Sequence, residues 1–232
     1  MDLSVVVPSY NEESRLPPSV AAAVGYLESC GRRYELILVD DGSSDGTPTL
    51  IREAERANRS VRGVLLSANR GKGRALAEGV AVSSGGLVLI SDADFSAPIE
   101  ELPKLEAAIA GGADVAIGSR AKRGAREVDQ PVHRRLMGKG FNLAVQALLL
   151  PGLWDTQCGF KLFRGQLARD LFGRLRTDGF AYDVEVLYEA RRAGWEVTEV
   201  PIRWMNSETS RVRPVRHSSQ MLADLVRIRL GR

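Results

Sequence analysis

A doubly wound α/β fold on a mostly parallel sheet is predicted by three features of this 232-residue chain. Five short runs rich in Val, Ile and Leu fall within the first 120 residues: "LSVVVP", "YELILVD", "VRGVLLS", "LVLISD" and "DVAIGS". Segments with helical spacing separate them. The runs are apolar throughout instead of alternating, as strands buried on both faces are. Right-handed crossovers then place the intervening helices on the two sides of the sheet.

Taken in order, "LSVVVP" leads through "SYNEESRL" into "PPSVAAAVGYLESCG", where the prolines suit a first helical turn. "YELILVD" ends in "DDGSSDGT". Gly42 and Ser43 allow a tight turn there, and Asp45 is placed to cap the helix "GTPTLIREAERANR". "VRGVLLS" runs through "ANRGKG" into the helix "KGRALAEGVAVSSG", and "LVLISD" through "DADFSAP" into "PIEELPKLEAAIAGG". "DVAIGS" closes the pattern at Arg120. Beyond it, "AKRGAREVDQPVHRR" reads as a polar, basic loop and "LMGKGFNLAVQALLL" as an amphipathic helix. "DTQCGFKLF" reads as a turn and short strand, "DVEVLYEARRAGW" as a helix and "EVTEVPIRW" as a strand. A basic, partly helical tail follows from Pro214. With no repeat, low-complexity tract or linker, the expectation is one domain over 1–232, a nucleotide-type half (1–120) and a variable half (121–232).

Hydrophobic residues make up 44% and charged residues 26%, the balance of a globular protein with a sizeable core. Cys30 and Cys158 are the only cysteines, so no disulfide framework is implied and a reducing, cytoplasmic setting is expected. "LSVVVP" is too short for a signal-peptide core, and "FNLAVQALLLPGLW" is interrupted before it could span a bilayer. The net charge of +3 conceals an asymmetry. Residues 119–139 hold seven Lys/Arg against Glu127 and Asp129, and residues 203–232 hold seven Arg against Glu208 and Asp224. Two basic segments on an acidic body point to an anionic partner. Nucleic acid is disfavoured, because the basic segments lack interleaved aromatics and no helix-turn-helix or zinc spacing occurs. His133 and His217 have no Cys neighbours, so neither a zinc site nor a Ser-His-Asp arrangement is supported.

In an open parallel sheet, ligands bind beyond the carboxyl ends of the strands. The five tips here are "PSYNEE", "VDDGSSDGT", "SANRGKG", "SDADFSAP" and "GSR". Asp40 or Asp41 could accept hydrogen bonds from a base or ribose hydroxyl, although taken alone the segment reads as a turn with a helix cap. "NRGKG" suits phosphate, without the spacing of a P-loop around Lys72. The strongest feature is "DAD". If strand geometry continues, Asp92 and Asp94 project to one side and reach one hard divalent cation, Mg²⁺ or Mn²⁺.

In the order "VVVPSYNEESRLPP", "LVDDGSSDGT", "NRGKG", "DAD", "IGSR", "DTQCGFKLF", "YDVEVLYEA", the chain resembles the polyprenyl-phosphate branch of the family 2 glycosyltransferases. The resemblance implies a GT-A fold and an inverting transfer of a hexose from a nucleotide sugar to a polyprenyl or dolichyl phosphate. It places Pro8, Tyr10, Glu12 and Asp41 around the nucleotide, Asp40 and Asp92 nearby, and Lys72 towards the phosphates. Asp92 and Asp94 would hold the metal. Arg120 and Arg134 would bind the acceptor phosphate with Gln157 and Ser210 beside them, and Ser210 and Arg211 would belong to a closing loop. Asp94, Arg120, Arg134 and Arg211 would form the catalytic group. The acceptor is already an anion, so no strong base is implied.

The chain departs from the mannose-transferring relatives at Ser96, Gly138 and Thr209-Ser210-Arg211. The first two changes favour UDP-glucose over GDP-mannose as donor. "LMGKGFNLAVQALLL" and "SSQMLADLVRIRLGR" are expected to seat the protein peripherally on an anionic cytoplasmic leaflet. Three rival readings remain at this level. One is transfer to a soluble sugar or glycan hydroxyl, with Asp155 or Asp183 as base. The others are an inactive nucleotide-binding scaffold and a nucleic-acid-binding protein.

Overall fold

The computed structural model of the chain describes residues 1–128, 132–205 and 214–231, with backbone alone for 132–137 and 214–219. Its strands are β1 (Leu3–Ser9), β2 (Tyr34–Asp40), β3 (Val61–Leu65), β4 (Leu87–Ile90), β5 (Val115–Ser119), β6 (Arg126–Val128), β7 (Lys161–Arg164), β8 (Val197–Pro201) and β9 (Arg203–Met205). The helices are α1 (Leu16–Ser29), α2 (Thr47–Ala57), α3 (Lys72–Ala81), α4 (Leu102–Ala110), α5 (Val132–Leu148), α6 (Gly165–Gly173), α7 (Tyr182–Arg192) and α8 (Pro214–Leu230). Seven strands form one sheet in the order β3-β2-β1-β4-β7-β5-β8. All neighbours pair in parallel except β7, which runs antiparallel to β4 and β5.

The strands are apolar on both faces because both are covered. Val6, Ile37, Val39, Val88, Ile90, Val115 and Ile117 face a core completed by α3 and α5 to α8. The alternate residues Val5, Val7, Leu36, Leu38, Leu89 and Ala116 face a second core under α1, α2 and α4. Each Val, Leu or Ile side chain fully withdrawn from water contributes about 1.5–3 kcal/mol, which fixes the register of the central strands.

Several expected boundaries move. Three residues of the expected basic loop form β6, which pairs in parallel with β9 in a separate two-stranded ribbon. The expected strand "EVTEVPIRW" is therefore two strands serving two sheets. Helix α5 begins at Val132 instead of Leu136, and α6 fills a stretch with no expected element. Asp45 precedes the α2 N-cap, Gly46, and its carboxylate accepts Thr47 N–H at 3.0 Å. These departures depend on pairing and docking partners distant in sequence, which local patterns do not carry.

Candidate active site

The carboxyl ends of β1, β2, β4 and β5 converge, and the antiparallel strand brings a further loop to the same edge. Lys161, the first residue of β7, is in register with Ile90 at the end of β4 and with Ile117 of β5. The turn 155–160 that leads into β7 therefore enters the site beside "DAD".

The "DDGS" and "NRGKG" loops are locked together. Asp41 accepts the backbone N–H groups of Arg70 and Gly71, both at 2.8 Å, and Asp40 accepts that of Ser43 at 3.1 Å. Burial raises the Asp41 pKa despite those two backbone bonds. Gly42 has φ +68°, and a Cβ on it would stand 2.4 Å from the carbonyl carbon of Ala68. Only glycine permits both that conformation and that approach. Gly73 and Arg74 N–H donate to the carbonyl of Asp178 at 2.7 and 3.3 Å. Four backbone donors of this loop are thus taken up inside the protein, and Lys72 is left as its charged reach towards the site.

The strand geometry of "DAD" does not continue. β4 stops at Ile90, and Phe95 N–H donates to the Asp92 carbonyl at 3.0 Å, closing a turn. Phe95 takes φ +44°, an uncommon conformation for an aromatic residue. Asp92 turns to Lys72, whose Nζ lies 2.5 Å from its Oδ1. Asp94 turns to Ser96, whose N–H and hydroxyl donate to Oδ1 at 3.0 and 2.8 Å, and to Arg15, whose Nη1 is 3.2 Å from Oδ2. The two carboxylates nevertheless share one neighbourhood, since the fields of both act on Lys72 and on Arg15. Burial pushes Asp92 up, but the Lys72 ammonium, followed by Lys161 and Arg120, outweighs it and holds the carboxyl below its ordinary value. Lys72 is raised, because Asp92 and Asp183 outweigh its own burial.

Behind Asp92 lies Gly159. A Cβ there would sit 2.1 Å from Asp92 Oδ2 and 2.4 Å from its Cγ, so the carboxylate fills the space of a side chain. Deeper still, Lys161 is buried at 1% exposure, pairs with Asp183 and donates to the Cys158 carbonyl at 2.5 Å. Burial raises Asp183 even so. On the β5 side, Arg120 grips Asp155 through Nε and Nη2, both at 2.8 Å, and through its backbone N–H. Its guanidinium lies over Trp204, 5.2 Å from the ring centroid. The fork leaves Nη1 as the edge for a further ligand.

Pro8 ends up buried at the β1 tip, with Tyr10 exposed at 41% just beyond it. Glu12 is buried with its carboxylate on Arg15, including a 2.6 Å bond from Nε, and Gln157 is half-buried in the turn after Asp155. Arg134 is described by backbone alone, on α5, while Ser210 and Arg211 lie outside the described residues. From sequence alone Arg15, Gly159, Lys161 and Trp204 carry no role, and Asp155 and Asp183 enter only as bases for a rival reaction. For Arg15, Asp155, Gly159, Lys161 and Asp183 the signal lay in "RLPP", "DTQCGFKLF" and "YDVEVLYEA", which are legible as motifs but not as contacts; Trp204 lies in none of them.

Carboxylate oxygens from Asp92 and Asp94 are the donor chemistry that hard divalent cations take, and each carboxylate already has a cationic side chain on one oxygen. The pair fits a metal of that class, although among the described residues no cluster of three or more such ligands exists.

The fold and tips define an α/β protein with a ligand site of charged residues at the carboxyl ends of its strands, and similarity to known proteins specifies its family. The chain belongs to glycosyl transferase family 2, whose signature matches residues 4–172. It is 38% identical over 242 residues to the human dolichyl-phosphate beta-glucosyltransferase, covering 98% of this chain and 75% of that protein. The Dictyostelium discoideum protein of the same name is 34% identical, with 98% of this chain and 73% of that protein covered. Among solved structures, glucosyl-3-phosphoglycerate synthase from Mycobacterium tuberculosis, in complex with Mn²⁺, UDP-glucose and phosphoglyceric acid, superposes with TM-score 0.72. That match covers 99% of this chain and 80% of the other at 19% identity, and supports the GT-A fold alone. The chain is a glycosyltransferase.

Proposed function

We propose that the protein transfers glucose, with inversion, from UDP-glucose to a polyprenyl phosphate such as dolichyl phosphate, using Mg²⁺ or Mn²⁺. The observation that carries this reading is the ring of paired charges at the strand tips, Lys72–Asp92, Arg15–Asp94 and Arg120–Asp155. It suits two phosphate groups held close together. The names of the two relatives supply the sugar and the acceptor class.

An oxygen of the acceptor phosphate forms a bond to the anomeric carbon, and the bond from that carbon to the β-phosphate oxygen breaks, its electron pair leaving with the nucleotide diphosphate. No proton has to be removed. That matters because neither candidate base is poised: Asp155 is held bidentately by Arg120, and Asp183 is buried on Lys161. Arg120 presents its remaining edge to the acceptor phosphate, and Asp155 and Trp204 position it. Lys72 offsets charge on the donor phosphates. Asp92 and Asp94 would hold the divalent ion, which when bound offsets charge on the departing diphosphate. Arg134, Ser210 and Arg211 are assigned to the acceptor side and the closing loop. One domain, 1–232, houses both halves.

The same reading seats the protein on an anionic, cytoplasmic membrane surface. Among the described residues no helix is long and apolar enough to cross a membrane. Helix α8 exposes Leu222, Val226 and Leu230 at four-residue spacing, between 47 and 61%, while burying Met221, Leu225 and Ile228. Its neighbour α5 exposes Leu143 and Leu148, and Arg227 stands beside the α8 stripe. A helix apolar on two sides with basic flanks suits an interface. Flotation with anionic vesicles at low salt is expected, and Val226→Glu is expected to weaken it. No flotation would sink the membrane assignment.

The decisive experiment follows labelled glucose from UDP-glucose into an organic-extractable product, with a short polyprenyl phosphate and Mn²⁺. Label in the lipid phase, lost with Asp94→Ala or EDTA, is expected. If UDP binds but neither UDP-glucose nor GDP-mannose yields lipid product, the acceptor assignment is wrong.

A further inference from the structure

We infer that Arg15 acts as a counter-ion latch, holding Asp94 until a nucleotide diphosphate draws it away, so that metal binding by the Asp92/Asp94 pair depends on the nucleotide. This rests on the proposed donor chemistry and assigns Arg15 a role within it.

The geometry is one of occupied carboxylates. Asp94 Oδ2 is taken by Arg15 Nη1 at 3.2 Å and Oδ1 by Ser96, while Asp92 Oδ1 is taken by Lys72 at 2.5 Å. A divalent cation approaching Asp94 therefore meets a guanidinium already in place, and like charges at this separation repel strongly in a partly buried site. Glu12 holds the Nε edge of Arg15, with Nε 2.6 Å from Oε2, so the guanidinium bridges two carboxylates. It has somewhere to go. Arg15 lines a cleft of about 360 Å³ with Ser14, Pro18, Asp94, Ser96 and Met205.

Charge balance gives the coupling its sign. Arg15, Lys72, Arg120 and Lys161 stand among Glu12, Asp92, Asp94, Asp155 and Asp183, a nearly neutral set. A divalent metal alone adds two positive charges beside two resident cations, and a diphosphate alone adds negative charge beside two carboxylates. Together they largely offset one another, and each gives the other's displaced partner a new one: carboxylates to the metal, Arg15 and Lys72 to the diphosphate. Such coupling is reciprocal and commonly amounts to roughly 5–150-fold in affinity.

The test is Mn²⁺ binding followed by electron paramagnetic resonance, with and without UDP, in the full chain. In the unaltered protein UDP is expected to tighten Mn²⁺ binding at least about tenfold. Arg15→Gln should tighten Mn²⁺ binding without UDP by about tenfold and shrink the effect of UDP correspondingly. Arg15→Lys keeps the charge, so its UDP-free affinity should stay near that of the unaltered protein, and thermal melts confirm that both variants fold. UDP-dependent Mn²⁺ binding that Arg15→Gln leaves unchanged, or weaker UDP-free binding in that variant, overturns the latch and leaves the transferase reading standing. Binding of neither Mn²⁺ nor UDP by the unaltered protein overturns both.

Discussion

Gly159→Ala tests whether the turn before β7 sets the position of the metal-site carboxylate. The new Cβ would begin 2.1 Å from Asp92 Oδ2 and 2.5 Å from Oδ1, whereas ordinary contact begins near 3.4 Å. The carboxylate, short and tied to Lys72, must therefore retreat by more than about 1 Å, and a misplacement of that size costs on the order of 100-fold in rate. That is about 2.7 kcal/mol of transition-state stabilisation. The assay is kcat/KM for glucosyl transfer at saturating Mn²⁺, with a thermal melt to show that the fold persists. A melt close to that of the unaltered protein with activity down about 100-fold is expected. Activity within threefold in a folded variant would refute the claim that Gly159 sets Asp92, and with it the role given to this turn.

Further outcomes follow from the buried ionisable groups. Lys161→Met strands Asp183, and removing one partner of a buried pair costs about 3–5 kcal/mol at neutral pH, read by urea denaturation; adding Asp183→Leu should restore most of it. In the single variant, burial without Lys161 raises Asp183 further, so the folded state binds its proton more tightly than the unfolded one. The defect must then grow as pH rises through the raised pKa and ease as pH falls below it, and a defect that deepens in acid would contradict this. Burial first, and Asp155 next, push the Cys158 thiol up to about 12, so native protein at pH 8 should label at exposed Cys30 and react at Cys158 only on unfolding. Arg120→Lys keeps the charge but loses the fork on Asp155, and should lower kcat/KM for the acceptor about 10–100-fold while leaving the donor KM unchanged. An equal loss on the donor side would remove Arg120 from the acceptor site.

Much of the frame was legible because it is periodic. Val6 and Val5, or Ile37 and Leu36, fall alternately into two cores, and that period of two survives any change of neighbours. The helices between them follow from the parallel pairing, which leaves no shorter connection. Asp40, Asp41, Asp92 and Arg120 were likewise visible as polar residues just beyond apolar runs, with Lys72 in the glycine-flanked loop after the third, and the sheet gathers them at one edge. The expectation that Asp92 and Asp94 share a strand face failed, because the chain turns at Asp92 with Phe95 at φ +44°. Nothing in "ISDADF" announces that conformation. Only its surroundings hold it.

By itself, then, the sequence determined a covered parallel sheet, the acidic and basic strand tips, and membership of a family whose motifs run in order along the chain. The tertiary structure alone decided where β7 inserts. By running antiparallel between β4 and β5, it places Gly159 and Lys161 behind Asp92 and lets Asp155 take Arg120. Arg15 reaches Asp94 across 79 positions of sequence, and Lys161 reaches Asp183 across 22. Local propensity acts over a few residues, whereas these pairs exist only after loops have closed and charges have been drawn out of water together, so their energies depend on neighbours that no local pattern names.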